Sequence, residues 1–574
     1  MSFPHSTLSP APSRTWASRC THAIKIPCQR IAITISLWLL PIAGSIHPAL
    51  GAERIKIVAG AFERSIPINA LQAYAKTGKV NASLAPYVKR LKPQQLAQLR
   101  QTLVRRIDLS PVAISQFFYS PIGETLLARI GELIQTQSGL SGYYALRAAL
   151  ILSAADRQGL TLLNILQKFP SNAIRIDIPL VLQTKDNLNK LQDLTHQAVT
   201  LISQQFAATT REETVNFSQV LNLEQRGKFS WNKQTLMFDD PRNSRQFLAD
   251  IYLPQVKTKV PIIVISYGLG EDRSTFAYLA EQLASYGFAV AIPENPSSNA
   301  QQLQDLLNGL ASKVSPASAF VNRALDVQFL LDELQRRSQS DPSLPIDTQQ
   351  ASIIGQSFGG YTALALAGAP FNFQQLRKSC TTLNDTLNLS LLLQCQALKL
   401  PQIPYNFRDP RIKAAIVINP VDSSIFGRDS LSKIQIPIMF VSGSADFVAP
   451  ALLEQIIPFS WLKAKEKYLV VLKGGTHFSI TSEDNEQQYP LSIPAQFIGP
   501  DPALARRYMK ALSVAFCQTY VAGARKYLPY LSASSIQALS QPPLPLSIVQ
   551  SLDTARLVQV LKKAKDILPP SSKN

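Results

Sequence analysis

Gly355-Gln356-Ser357-Phe358-Gly359 places a serine between two glycines where a short apolar run, Ala351 to Ile354, meets a strong helix former, Tyr361 to Ala367. A hydroxyl on so sharp a strand-to-helix turn stands clear of the sheet, and the flanking glycines remove side chains that would collide there. The chemistry this suits is nucleophilic attack, with the next backbone N–H, that of Phe358, turned toward a developing oxyanion. A nucleophilic serine needs a base. Of the five histidines, His5, His22 and His47 lie in a leader-like segment, which leaves His196 and His477. His196 sits without a motif in an amphipathic stretch with Leu188, Leu191, Leu194, Val199 and Ile202. His477 follows the β-branched run Tyr468 to Leu472 and the pair Gly474-Gly475, the context in which a loop delivers an imidazole to the mouth of a parallel sheet.

A carboxylate is then needed to fix the imidazole tautomer and stabilise the imidazolium. Asp446 ends the apolar run Ile438 to Val441 through a small-residue turn and stands first. Asp422, ending Ile416 to Ile418 and Asn419-Pro420-Val421, is the alternative. The order Ser357, Asp446, His477 is that of α/β-hydrolases. A second oxyanion donor is expected from Leu269, between Gly268 and Gly270, after the buried run Pro261 to Ser266. The expected catalytic set is Ser357, Asp446 and His477, with Leu269 and Phe358 as oxyanion donors.

Several of these segments resemble a known family. Ser266-Tyr267-Gly268-Leu269-Gly270, the stretch Leu283 to Ala291 and Gly355 to Gly360 are similar to the platelet-activating-factor acetylhydrolase and dienelactone-hydrolase-like branch of the α/β-hydrolases. The turn Ser444 to Pro450 and Gly474 to Phe478 resemble cutinase-like polyester hydrolases. The resemblance spans roughly residues 225–530 and implies hydrolysis of carboxylic esters through an acyl-enzyme. Tyr267 stands where the family usually has histidine, which bears on substrate preference. The phospholipase-like relatives take their acid from the strand that here carries Asp422.

The elements that must position these groups follow from patterning. The implied fold class is α/β: a mostly parallel central sheet flanked by helices, preceded by a mainly helical N-terminal domain. At 574 residues and 46% hydrophobic content the chain exceeds one ordinary domain. Residues 1–51 read as a signal peptide, because Arg14, Arg19, Lys25 and Arg30 precede the apolar run Ile31 to Ala43 and the small residues Ala49 and Gly51. An organelle transit peptide is the runner-up. Residues 52–178 form the N-terminal domain, which opens on the strand-like run Arg54 to Val58 and then turns helical, with helices expected at 69–77, 93–105, 111–118, 123–135, 143–157 and 161–168. This region resembles the amino-terminal part of uncharacterised cyanobacterial α/β-hydrolases, through Phe62 to Pro67 and Tyr144 to Leu150. A helical connector is expected at 179–224 and the catalytic domain at 225–530, with an insertion at 371–405 that could roof the active site. The last part, 531–574, reads as a helical tail.

Composition narrows the function. The formal charge is +19, and removing the four leader cations leaves +15. The basic residues are scattered rather than striped with aromatics, so nucleic-acid binding is not expected, whereas peripheral adhesion to an anionic envelope is compatible with them. No cysteine or histidine cluster suggests a metal, and no cofactor is expected. Cys380 and Cys395 are placed for a local disulfide in an oxidising compartment, with Cys517 left as a buried free thiol. The expected protein is an exported serine hydrolase, periplasmic or secreted, acting on lipid-like or small acyl esters. The competing readings are a non-catalytic envelope binding protein on a hydrolase fold and an acyltransferase using the same three residues.

Overall fold

The computed structural model describes residues 51–213, 222–381, 383, 386–481 and 495–562. The expected leader, apart from Gly51, lies outside the described residues.

The N-terminal part has the strand expected at its start and three more that its sequence did not suggest. Arg54–Ala59 (β1) and Phe62–Pro67 (β2) form an antiparallel hairpin. Ile134–Thr136 (β3) and Ala173–Asp177 (β4) complete a four-stranded sheet of order β2-β1-β4-β3, in which β1 and β4 run parallel. The part is mainly helical as expected, and its helices pack with this small sheet. The helices themselves fall close to their expected spans, among them Ile68–Thr77, Pro93–Val104, Pro111–Phe118 and Tyr143–Ala155. Ser110 and Ser120 cap two of them by accepting backbone N–H groups, each followed by proline at the first helical position. Leu71, Tyr74, Leu103, Leu127, Ala149 and Phe169 belong to a core separate from that of the large sheet.

The connector is not a linker in the structure. Ile178–Glu212 is one 35-residue helix, and its buried stripe of Leu191, Leu194, Ala198, Val199, Ile202 and Phe206 joins the core of the large sheet. That stripe recurs every three or four residues, the spacing of an amphipathic face.

The large sheet contains Trp231–Asp240 (β5), Arg245–Pro254 (β6), Val260–Ser266 (β7), Ala289–Pro293 (β8), Ile346–Gln356 (β9), Ile412–Ile418 (β10), Ile438–Gly443 (β11), Lys467–Leu472 (β12) and Leu546–Val549 (β13). Their order is β13-β12-β11-β10-β9-β7-β8-β6-β5. Strands β7 to β12 run parallel, and the β5–β6 hairpin and β13 add antiparallel edges. The central strands are buried along their length, as helices on both faces require. Strand β13 arises from the segment expected to be a helical tail. The tail instead closes one sheet edge before the helix Thr554–Lys562 begins.

The chain runs one way from β7 to β8 and returns on the other side of β7 with β9. Open parallel sheets form their crevice at such a reversal, beyond the carboxyl ends of the strands. The loops leaving β7 and β9 meet there.

Candidate active site

Ser357 occupies a backbone conformation that L-residues rarely adopt, φ 53° and ψ −115°. Such strain costs on the order of 1–3 kcal/mol and persists only where the surroundings enforce it. The surroundings here are tight. Its N–H donates to the Ile418 carbonyl at 2.9 Å. A Cβ on Gly359 would lie 1.8 Å from the Ser266 carbonyl oxygen, and one on Gly355 would lie 2.0 Å from that of Gly359. The two glycines let the first turn of the helix Phe358–Ala367 press against the ends of β7 and β9.

Three side chains converge on this turn. His477 Nε2 lies 2.9 Å from Ser357 Oγ, and His477 Nδ1 lies 2.6 Å from Asp446 Oδ2. All three residues are buried. The second carboxylate oxygen, Asp446 Oδ1, accepts the N–H groups of Val448 and Ala449, both at 2.8 Å, so the carboxylate plane is fixed from behind. The loop carrying His477 is fixed as well. Gln356 Nε2 donates to the His477 carbonyl at 3.2 Å, Asn419 Nδ2 donates to the Thr476 carbonyl at 3.2 Å, and the Thr476 N–H donates to Ser479 Oγ at 2.8 Å. The Ala445 N–H donates to the Gly475 carbonyl at 2.8 Å, tying the acid's turn directly to the histidine's loop.

Asp422, the alternative acid, points elsewhere. It is fully buried, its carboxyl faces that of Glu454, and its backbone N–H donates to Glu454 Oε2 at 2.8 Å. Burial, reinforced by the neighbouring Glu454 charge, pushes the Asp422 carboxyl well above the usual carboxylate range. Glu454 is the hub of that cluster: it also accepts from Ser423 Oγ at 2.5 Å, from Gln394 Nε2 at 3.1 Å and from Asn388 Nδ2. Gln394 and Asn388 lie in the 371–405 insertion, so the cluster anchors that insertion to the end of β10. The insertion is also closed by a Cys380–Cys395 disulfide, while Cys517 is a buried free thiol. On its far side, Arg129 of the helix Pro121–Leu133 donates to the Leu383 carbonyl, so the N-terminal part packs against the insertion.

The remaining sequence candidates are placed as follows. The Phe358 N–H opens a helix, where no intrahelical carbonyl is available to it. Leu269 is half-buried on the turn after β7, and Tyr267 is fully buried, its hydroxyl accepting the Asn295 N–H at 2.8 Å. His196 is exposed on the long helix, away from Ser357. It lines a cleft of about 690 Å³ whose opposite wall is the outer side of the Asp446 turn, with Phe447 and Lys473. Among the described residues no cluster of metal-ligating side chains occurs. Gln356 and Asn419, which steady the histidine loop, had no sequence signal beyond lying at strand ends.

Comparison with known proteins agrees with this architecture. The family described as "Alpha/beta hydrolase of unknown function (DUF1400)" matches residues 51–177, and "Platelet-activating factor acetylhydrolase, isoform II" matches residues 249–313. The protein named "Hydrolyase poxO" from Penicillium oxalicum is 29% identical over 132 residues, which is 23% of this chain and 29% of that protein. The chain thus spans less than a third of that relative. Neither family match reaches Ser357, Asp446 or His477, so these three rest on their own geometry. With its strand order, its serine turn and these matches, the chain has an α/β-hydrolase fold and is similar over part of its length to the platelet-activating-factor acetylhydrolase family.

Proposed function

We propose that the protein is a serine hydrolase of carboxylic esters, with Ser357 as nucleophile, His477 as general base and acid, and Asp446 as the group that orients and stabilises the imidazolium. The observation that carries this reading is the unbroken contact from Asp446 Oδ2 through both His477 nitrogens to Ser357 Oγ, at 2.6 and 2.9 Å, on a serine held at positive φ. His477 Nε2 takes the Ser357 proton as Oγ adds to the ester carbonyl, and the carbonyl oxygen becomes an oxyanion facing the Leu269 and Phe358 N–H groups. The imidazolium then protonates the departing alcohol. Water, deprotonated by His477, releases the acid from the acyl-serine. Lipid-like or small acyl esters are the proposed substrates, by analogy with the matched acetylhydrolase family. Export to a periplasmic or extracellular compartment is proposed too, supported by the Cys380–Cys395 bridge.

The test is labelling of the purified protein with a fluorophosphonate, alongside turnover of a chain-length series of nitrophenyl esters. Ser357→Ala should abolish labelling and lower ester turnover by several orders of magnitude with the fold intact. Undiminished turnover in that variant would remove the serine from the chemistry.

A further inference from the structure

The helix Ala319–Ser340 buries a cation directly beneath the site. Arg323 is 1% exposed, and none of its hydrogen-bond acceptors is a carboxylate. Nη1 donates to the Tyr267 carbonyl at 2.7 Å, Nη2 to the Gly268 carbonyl at 3.1 Å, and Nε to Ser298 Oγ at 3.0 Å. The guanidinium carbon lies 4.4 Å from the centre of the Phe358 ring. Burial draws its pKa down to about 10, which leaves it charged at neutral pH. Removing a guanidinium from water is costly unless its donors are met, and these are met by the loop after β7 and by Ser298 after β8.

The consequence follows from peptide geometry. The Gly268 carbonyl and the Leu269 N–H belong to one peptide unit, and that unit is trans. In a planar trans peptide the C=O and N–H point in opposite directions. An arginine that draws the Gly268 oxygen into the core therefore turns the Leu269 N–H outward, into the crevice where Ser357 stands. The positive charge on the oxygen side also polarises the same peptide, strengthening its N–H as a donor. The Ser298 carbonyl accepts the Gly270 N–H at 2.9 Å, which closes the other end of the turn. On its second face the guanidinium supports the ring of Phe358, whose N–H is the other donor, and Phe320 of the same helix packs edge-on to that ring at 4.7 Å.

We propose that Arg323 is the positioning residue of the oxyanion site, holding the Leu269 and Phe358 N–H groups on the carbonyl oxygen of the substrate from below. This rests on the serine-hydrolase reading and adds to it the part that orients the donors. A lysine could not replace it, because an ammonium cannot span two carbonyls and a hydroxyl with a planar fork.

The test compares wild type, Arg323→Lys and Ser298→Ala, with p-nitrophenyl butyrate as substrate and a short trifluoromethyl ketone as inhibitor. Ser357 Oγ adds to the ketone carbon, its proton passes to His477 Nε2, and the resulting oxyanion occupies the donor site. Arg323→Lys should lower kcat by about 10²-fold, the order of one lost oxyanion donor. KM should hold within about twofold, and ketone affinity should fall in step with kcat/KM. The acid limb of the pH–rate profile should stay at the wild-type pH, because His477 and Asp446 are untouched. Ser298→Ala, which keeps the buried charge and removes one acceptor, should show a smaller loss of kcat with the same pattern. It decides the matter if Arg323→Lys does not fold. Unchanged kcat and ketone affinity in a folded Arg323→Lys, or in Ser298→Ala should the lysine variant not fold, would overturn the proposal and leave Arg323 a packing residue. A wild-type protein that is neither labelled by a fluorophosphonate nor active on the ester would instead overturn the serine-hydrolase reading beneath it.

Discussion

Replacing Asp446 by asparagine tests the site most sharply, because the structure dictates how the amide must sit. Asp446 Oδ1 accepts two backbone N–H groups, from Val448 and Ala449, each at 2.8 Å. An amide NH₂ cannot accept them, so the asparagine carbonyl must take that position and its NH₂ must face His477 Nδ1. A donor there forces Nδ1 to accept and moves the ring proton to Nε2, which then cannot take the proton of Ser357. The fold should survive, since asparagine matches the shape and both backbone N–H groups keep an acceptor. The expected loss in kcat is about 10⁴-fold, equivalent to about 5.5 kcal/mol of barrier. The control is Asp422→Asn. Burial holds its carboxyl well above the usual carboxylate range and it makes no hydrogen bond to His477, so turnover should stay within a few-fold of wild type. Initial rates on a nitrophenyl ester, with thermal midpoints measured beside them, separate chemistry from stability. An Asp446→Asn protein that keeps more than about a tenth of wild-type kcat, or an Asp422→Asn protein that loses the more activity of the two, would remove Asp446 from the role of acid.

Three further outcomes are expected. Gly359→Ala should prevent correct folding or sharply lower the urea midpoint, since its Cβ would meet a backbone oxygen at 1.8 Å; soluble protein of near wild-type stability would show that the turn can open. Loss of the Cys380–Cys395 bridge, whose partners are 15 residues apart, should cost about 3 kcal/mol on the chain-entropy account, read as a lower midpoint in reductant or in Cys380→Ser. Asp422 should make stability depend on pH. Its folded pKa lies well above the ordinary carboxylate value, so above about pH 4 the unfolded chain sheds a proton that the folded chain retains. Stability then falls as pH rises, until the folded carboxyl itself ionises. Asp422→Asn removes that slope, so its thermal midpoint should gain on wild type between pH 4 and pH 7, and a constant difference would count against the assignment.

Much of the fold was legible because most of its elements carry an unambiguous period. The stripe Leu191, Leu194, Ala198, Val199, Ile202 can only be a helix face, and the apolar runs that became β7, β10 and β11 can only be buried strands. What failed was short and decided by distant partners. Leu546–Val549 precedes an amphipathic helix and reads as its beginning, yet the free edge of β12 takes it as an antiparallel strand. Ala173–Asp177 likewise becomes a strand because β1 offers it a parallel edge, a partner about 120 residues earlier in the chain. Strand propensity in four or five residues is weaker than the pull of an open sheet edge.

The site shows the same division between local and distant causes. Ser357 and His477 could be found because each needs its glycines, and a glycine pattern is local. Asp446 stood ahead of Asp422 in the sequence only by the character of its turn, since both follow apolar strands that lie side by side as β11 and β10. The choice turns on one long-range hydrogen bond, from the Ala445 N–H to the Gly475 carbonyl, which brings the Asp446 turn to the histidine, while Asp422 is held by Glu454. Arg323 did leave a trace. It lies on the stripe Phe320, Arg323, Val327, Leu330 and Leu334, a charged residue in the middle of a buried helix face, with Asp326 beside it bound to Arg245 at 2.7 and 2.6 Å. A helix that spends a core position on a guanidinium needs partners for five N–H donors. Partners for three of its nitrogens come from the turn that carries Leu269 and from Ser298 beside it. A charge that breaks an apolar period is therefore a cue worth reading alongside the glycine motifs, because it marks where the core is built around a loop rather than around side chains.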